Sequence, residues 1–250
     1  MTWRQLDGAA FKDVAGGPDR FLNGGTALLQ IHQTRVTAGF YLDHFPNVET
    51  LLVMIGLPDF VDCTVDPAFL FEPEDAARYT FGDWPSAYFY LRYVSPQRYL
   101  RGVMNLPKQR TPFTGDLYLD TFGSGPLHVP EHLMRGLRYG KPKTDAACVA
   151  ALGQFLDDTQ ARGVALLLVF APVHPDYRAE YPDDTAWLAG IADHAETKAD
   201  QGEELMVLDM IDDPAFVGRD FFDAFHLQWP AVKTLSAHIA GSLQARPPVM

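Results

Sequence analysis

Residues 221–227 read Phe-Phe-Asp-Ala-Phe-His-Leu and set an acid and an imidazole, Asp223 and His226, three residues apart. A histidine held by a carboxylate is a general base for proton transfer near neutral pH. The carboxylate fixes the ring tautomer and stabilises the imidazolium that forms. The same D-x-x-H pattern also describes an aspartate cap beside a surface histidine. Its weight comes from its place, between a last apolar strand and a closing helix on which Val232, Leu235, Ile239 and Leu243 share one face.

A base needs a nucleophile and a home for the developing oxyanion. Five serines are available: Ser86, Ser95, Ser124, Ser236 and Ser242. Ser236 and Ser242 belong to the closing helix. Ser124, in Phe122-Gly-Ser-Gly-Pro126, precedes the dyad but lacks G-x-S-x-G spacing, and it reads as a flexible turn. Thr26 reads as a helix N-cap at the edge of a cleft. His174, in Pro172-Val-His-Pro-Asp-Tyr177, either lines the cleft near His226 or caps its own turn. His128-Val-Pro-Glu-His132 formally matches H-x-x-E-H, but Pro130 belongs in the first turn of a helix and leaves His128 outside it. No metal and no cofactor are expected.

The elements that must carry these groups follow from periodicity. A short helix is predicted over residues 3–14, and a strand-like piece over 20–23. A helix follows over 27–44, with Leu28, Ile31, Ala38 and Leu42 on its buried face. Residues 49–56 form a continuous apolar run, as does 164–171; each suits a strand buried on both faces. Thr144 reads as the cap of a helix that Gly163 ends. A further helix over 184–198 precedes a third strand, 205–209. Residues 61–143, rich in proline and aromatics, read as a mostly helical insertion with helices near 86–104 and 130–138. Its aromatics are read as packing, with a substrate wall as the alternative. This βαβ-type order predicts one α/β domain over 1–250, a flavodoxin-like parallel sheet with helices on both faces.

The chain has a formal charge of −12 and a pI near 4.9, which disfavours nucleic acid or an anionic surface as partner, a local basic patch aside. Cys63 and Cys148 lack C-x-x-C spacing and read as two buried thiols rather than a bridge. The longest apolar run is about half a membrane span. With no apolar leader at its start, the chain as it stands reads as cytoplasmic; a longer N-terminus would allow a periplasmic or membrane-anchored protein.

In four places the chain resembles SGNH (GDSL-type) hydrolases, most closely the branch similar to envelope polysaccharide O-acetyltransferases. Asn23-Gly24-Gly25-Thr26 is similar to the family's second block, residues 48–60 to the third, residues 171–177 to the proline-rich loop after the fourth strand, and 221–227 to the fifth. The resemblance implies His226 as base, Asp223 as its orienting acid, Gly25 (with Gly24) as oxyanion donor, and a cleft bordered by Thr26, Gly56, Asp59 and His174. It implies an esterase or O-acyltransferase acting on a small-molecule or glycan ester.

Two departures stand out. Where the third block offers an asparagine, this chain has Leu57-Pro58-Asp59; Pro58 has no amide hydrogen, and an ionised Asp59 would repel an oxyanion. The family's G-D-S serine has no counterpart among the 22 residues before Asn23. The expectation is a nucleophile and first strand lost by truncation, with a catalytically inactive relative, binding a glycan or a protein, as the alternative.

Overall fold

The computed structural model describes residues 5–12, 21–25, 29–64, 72–109, 120–125, 142–200 and 204–245. Three strands form a parallel sheet: β1 (Thr50–Ile55), β2 (Ala165–Phe170) and β3 (Leu205–Asp209), with β2 in the middle. Leu52 pairs with Leu167, and Leu167 with Met206. Every residue of β2 is buried, which is why its sequence shows no polar alternation.

Alternate side chains divide the core between the two faces of the sheet. Val53, Ile55, Leu166, Leu168 and Phe170 face a layer built by α1 (Ile31–His44), α5 (Ala146–Ala161) and α7 (Pro182–Asp200). Met54, Leu167, Val169 and Ala171 face the closing helix, α8 (Trp229–Gln244), together with Leu6 and Phe11 from the N-terminal segment. Each fully buried Leu or Val contributes about 1.5–3 kcal/mol, so the two layers hold the strand ends in fixed positions. The short helix α6 (Pro175–Glu180) sits between β2 and α7.

Several local expectations shift. Helix α5 is capped by Asp145, whose carboxylate accepts from the Ala147 amide; Thr144 instead forms an antiparallel bridge with Val61. Gly163 ends that helix with φ of +64°, a conformation glycine takes without steric cost. Residues 21–25 are not a strand: the Asn23 amide bonds the Phe122 carbonyl, in a turn rather than a ladder. In the N-terminal segment Gln5 is helical and Gly8–Phe11 form a one-turn 3-10 helix; the remainder of the helix expected over 3–14 lies partly outside the described residues.

The insertion supplies α2 (Pro73–Phe81), α3 (Ser86–Tyr93) and α4 (Pro96–Gln109). The helix expected near 130–138 lies outside the described residues. Buried Asp75 pins α2 to α3, accepting from Arg78, Arg92 and the Tyr93 hydroxyl. Phe81 stacks on His44 and packs edge-on against Phe45. That contact lies at the C-terminal end of α1, from which the chain enters β1.

Cys63 and Cys148 are bonded to each other, their Cα atoms 5.1 Å apart across a sequence separation of 85, which overturns the expectation of two free thiols. The pairing follows from neighbours that spacing cannot reveal. The Val61–Thr144 bridge, the Asp145 amide on the Phe60 carbonyl and the Cys63 amide on the Asp145 carboxylate hold the two segments side by side. Among the described residues no helix is long and apolar enough to cross a membrane.

Candidate active site

The loops leaving the carboxyl ends of the three strands are laced together by backbone bonds. Ala171 donates to Ile55, Met210 to Phe170, Val173 to Ile211, and His174 to Ala224. This is the end of an open parallel sheet at which ligands bind. Residues 221–227 lie across it as a closed loop: Phe221 pairs with Leu227, and the Phe222 amide donates to the His226 carbonyl at 2.7 Å. Phe221 and Leu227 enter the core on the α8 side, whereas Ala224 and Phe225 enter the core on the other side. Phe225 packs edge-on against the fully buried Tyr177 ring at 4.8 Å. The alternation of aromatics with Asp and His in this stretch is therefore a set of anchors around two polar groups.

Asp223 is 1% exposed and accepts three hydrogen bonds through Oδ1, from the Phe225 and His226 amides and from His226 Nδ1, each at 2.9 Å. Oδ2 lies 3.0 Å from the same ring nitrogen. The carboxylate thus fixes the imidazole through Nδ1 and directs Nε2 away from itself, the orientation a general base requires. The His226 side chain is 22% exposed, so the ring edge reaches solvent while its partner does not. Sequence reasoning missed Gln5, whose side-chain oxygen accepts from the Leu227 amide at 3.0 Å and braces the loop from the N-terminal segment. A lone glutamine 222 positions away leaves no signal in the sequence.

Asp59 is buried in the 3-10 turn after β1, and its Oδ2 accepts from the Gly56 amide at 2.7 Å. Burial raises its carboxyl above the ordinary range; the Gly56 bond and the His226 ring pull the other way. Asp209, at the end of β3, is also raised by burial.

His174 takes the second of its two expected roles. Its Nδ1 accepts from the Asp176 amide at 3.1 Å and caps α6, while its ring packs edge-on against Phe221. It supports the 221–227 loop through that contact.

The glycine segment packs on Tyr41 of α1. Gly24 is pressed against the Tyr41 ring, where a Cβ would come within 2.8 Å, and its carbonyl accepts from the Tyr41 hydroxyl. The Gly25 amide donates to the Asn23 side chain at 3.1 Å. Thr26 lies outside the described residues.

The serines are engaged elsewhere. Ser124, expected in a flexible turn, is fully buried and accepts from the Gly8 amide and the Asn23 side-chain amide, joining three distant segments. Gly123 allows its turn, with φ of +83° and the Asn23 carbonyl 2.7 Å from where a Cβ would stand. Ser236 accepts from the Asp7 amide, Ser242 donates to the His238 carbonyl, Ser95 accepts from the Arg98 amide, and Ser86 opens α3. No metal-binding group of three or more His, Cys, Asp or Glu occurs among the described residues, and His128 and His132 lie outside them. No family model, curated protein or solved structure matches the chain.

Proposed function

We propose that this chain carries the base half of an SGNH-type ester hydrolase or O-acyltransferase site, acting on acyl esters such as acetyl groups of a glycan. The observation that carries the reading is the buried Asp223 carboxylate holding His226 Nδ1 at 2.9 Å at the carboxyl ends of the strands. In the cycle, His226 Nε2 takes the proton of an attacking hydroxyl as it bonds to the ester carbonyl carbon. The same proton passes to the departing alcohol when the tetrahedral intermediate collapses. Asp223 orients the ring and stabilises its charged form. The attacking hydroxyl is not assigned to any described serine.

The second reading, a non-catalytic domain of the same type that binds a glycan or a protein, has its own support. The Gly25 amide, one of the two expected oxyanion donors, is engaged by Asn23, the Gly56 amide by Asp59, and Pro58 offers none. The disulfide favours an oxidising compartment, a periplasmic or exported setting over the cytoplasm, for either reading.

Hydrolysis of p-nitrophenyl acetate by the chain, His226→Ala and Asp223→Asn separates the two. The catalytic reading expects both variants to lose roughly two to four orders of magnitude. Equal background rates for all three proteins would count against any activity from this chain.

A further inference from the structure

The insertion differs in charge and exposure from the rest of the molecule. Between Ser86 and Arg110 the sequence holds five basic residues (Arg92, Arg98, Arg101, Lys108 and Arg110) and no Asp or Glu, in a chain whose net charge is −12. At ~100° per residue, Pro96, Tyr99, Leu100, Val103 and Met104 fall along one side of α4, and Gln97, Arg98 and Arg101 along the other. In an ordinary surface helix the apolar side would face the core. Here Leu100 is 60% exposed and Met104 is 75% exposed. Tyr90, Leu91, Tyr93 and Val94, at the end of α3 and just beyond it, are exposed as well. Arg92 is bound to Asp75, whereas neither Arg98 nor Arg101 forms an ion pair with a described residue.

We propose that α4, with the end of α3, is an interfacial anchor that lays this apolar face into an anionic lipid bilayer surface. The occupant follows from the chemistry of the face. Leucine, valine and methionine side chains match acyl chains, with tyrosines at headgroup depth and arginines on the opposite, polar face adding attraction to an anionic surface. The tyrosines alone could also meet a glycan, but Leu91, Leu100, Val103 and Met104, interleaved with them, supply neither an aromatic platform nor a hydrogen-bonding group and favour acyl chains. The insertion meets the body at several points: Phe81 packs on His44 and Phe45, and Phe122 and Ser124 bond Asn23 and Gly8. This inference does not depend on the proposed activity.

Flotation of the full chain with vesicles tests it. Vesicles of equal parts phosphatidylcholine and phosphatidylglycerol are expected to carry the protein at low salt, and phosphatidylcholine alone to carry it at least about tenfold less well. Leu100→Ser with Met104→Ser is expected to abolish flotation, and Arg98→Gln with Arg101→Gln to weaken it about tenfold or more, with unchanged circular dichroism and melting. Any of three results would overturn the proposal: no binding to anionic vesicles; variants that float like the parent; or a self-associated species, or binding to an anionic polysaccharide, that the serine variants abolish while vesicles are ignored. None of these readouts uses catalysis, so failure here leaves the dyad reading intact.

Discussion

The sheet body and the helical insertion treat apolar residues in opposite ways. In the body, Leu168, Val169 and Phe170 are wholly enclosed between two helical layers, and the polar groups of the site are set into that enclosure. In the insertion, α4 carries Tyr99, Leu100 and Met104 into solvent, while α2 and α3 are held by a buried aspartate and its cationic partners more than by a core. The body is built to hold the site's polar groups in place; the insertion is built to present a surface. Different residues should therefore govern stability and association.

The sharpest test of that contrast is in the centre of β2. Leu168→Ala is expected to cost about 2–5 kcal/mol, read from urea denaturation, because the cavity it leaves between strand and helices closes only in part. A cost under 1 kcal/mol would mean the body is no better packed than the insertion. Next in size is the crosslink. Cys148→Ser, or reduction of the parent chain, is expected to lower stability by about 2–4 kcal/mol, measured by melting with and without a reductant. An unchanged melting curve would show that the 61–64 and 144–148 segments hold together without it.

Asp223→Ala strands two backbone donors and one ring nitrogen that now share an acceptor. A loss of about 1–3 kcal/mol is expected, with hydrogen exchange accelerated at Phe225 and His226. Asp59 gives a pH signature. Its carboxyl is raised in the folded chain, so the folded state holds the proton more tightly than the unfolded state. The resulting stability is full below the unfolded carboxylate range near ~4 and declines as pH rises through the folded value. Asp59→Asn keeps an acceptor for the Gly56 amide and removes the titration. Its stability advantage over the parent should therefore grow with pH. A difference that is flat or shrinks with rising pH would contradict the burial account. The smallest effect is expected at the insertion surface, where Leu100→Ala should change stability by less than about 0.5 kcal/mol.

What the sequence made legible follows the same division. A strand buried on both faces demands an uninterrupted apolar run, so Ala165–Phe170 was visible directly; the partly buried edge strand Leu205–Asp209 was visible to the residue. The Asp223–His226 pair was visible because both residues sit on one short loop. Contacts between distant segments were not visible: Cys63 with Cys148, Ser124 with Gly8, and Gln5 with Leu227 are pairings that only the assembled layers create. Ser124 is the instructive case. Its glycine neighbours suggest mobility, yet Gly123 is there to let the turn close against Asn23. The exposed face of α4 was hidden for another reason: an amphipathic pattern says which residues share a side, not whether anything covers them.

The Cys63–Cys148 bond encloses the described insertion helices in a covalent ring, with β1 on one arm and β2 and β3 on the other. A protease that cuts α4 therefore opens the ring without releasing a fragment. The nicked chain would migrate as one species until a reductant is added and as two afterwards. Its two arms would stay tethered beside the Leu52–Leu167 pairing that they share. The surface that meets the outside world is thus the part the molecule can lose the continuity of and still keep its sheet in register.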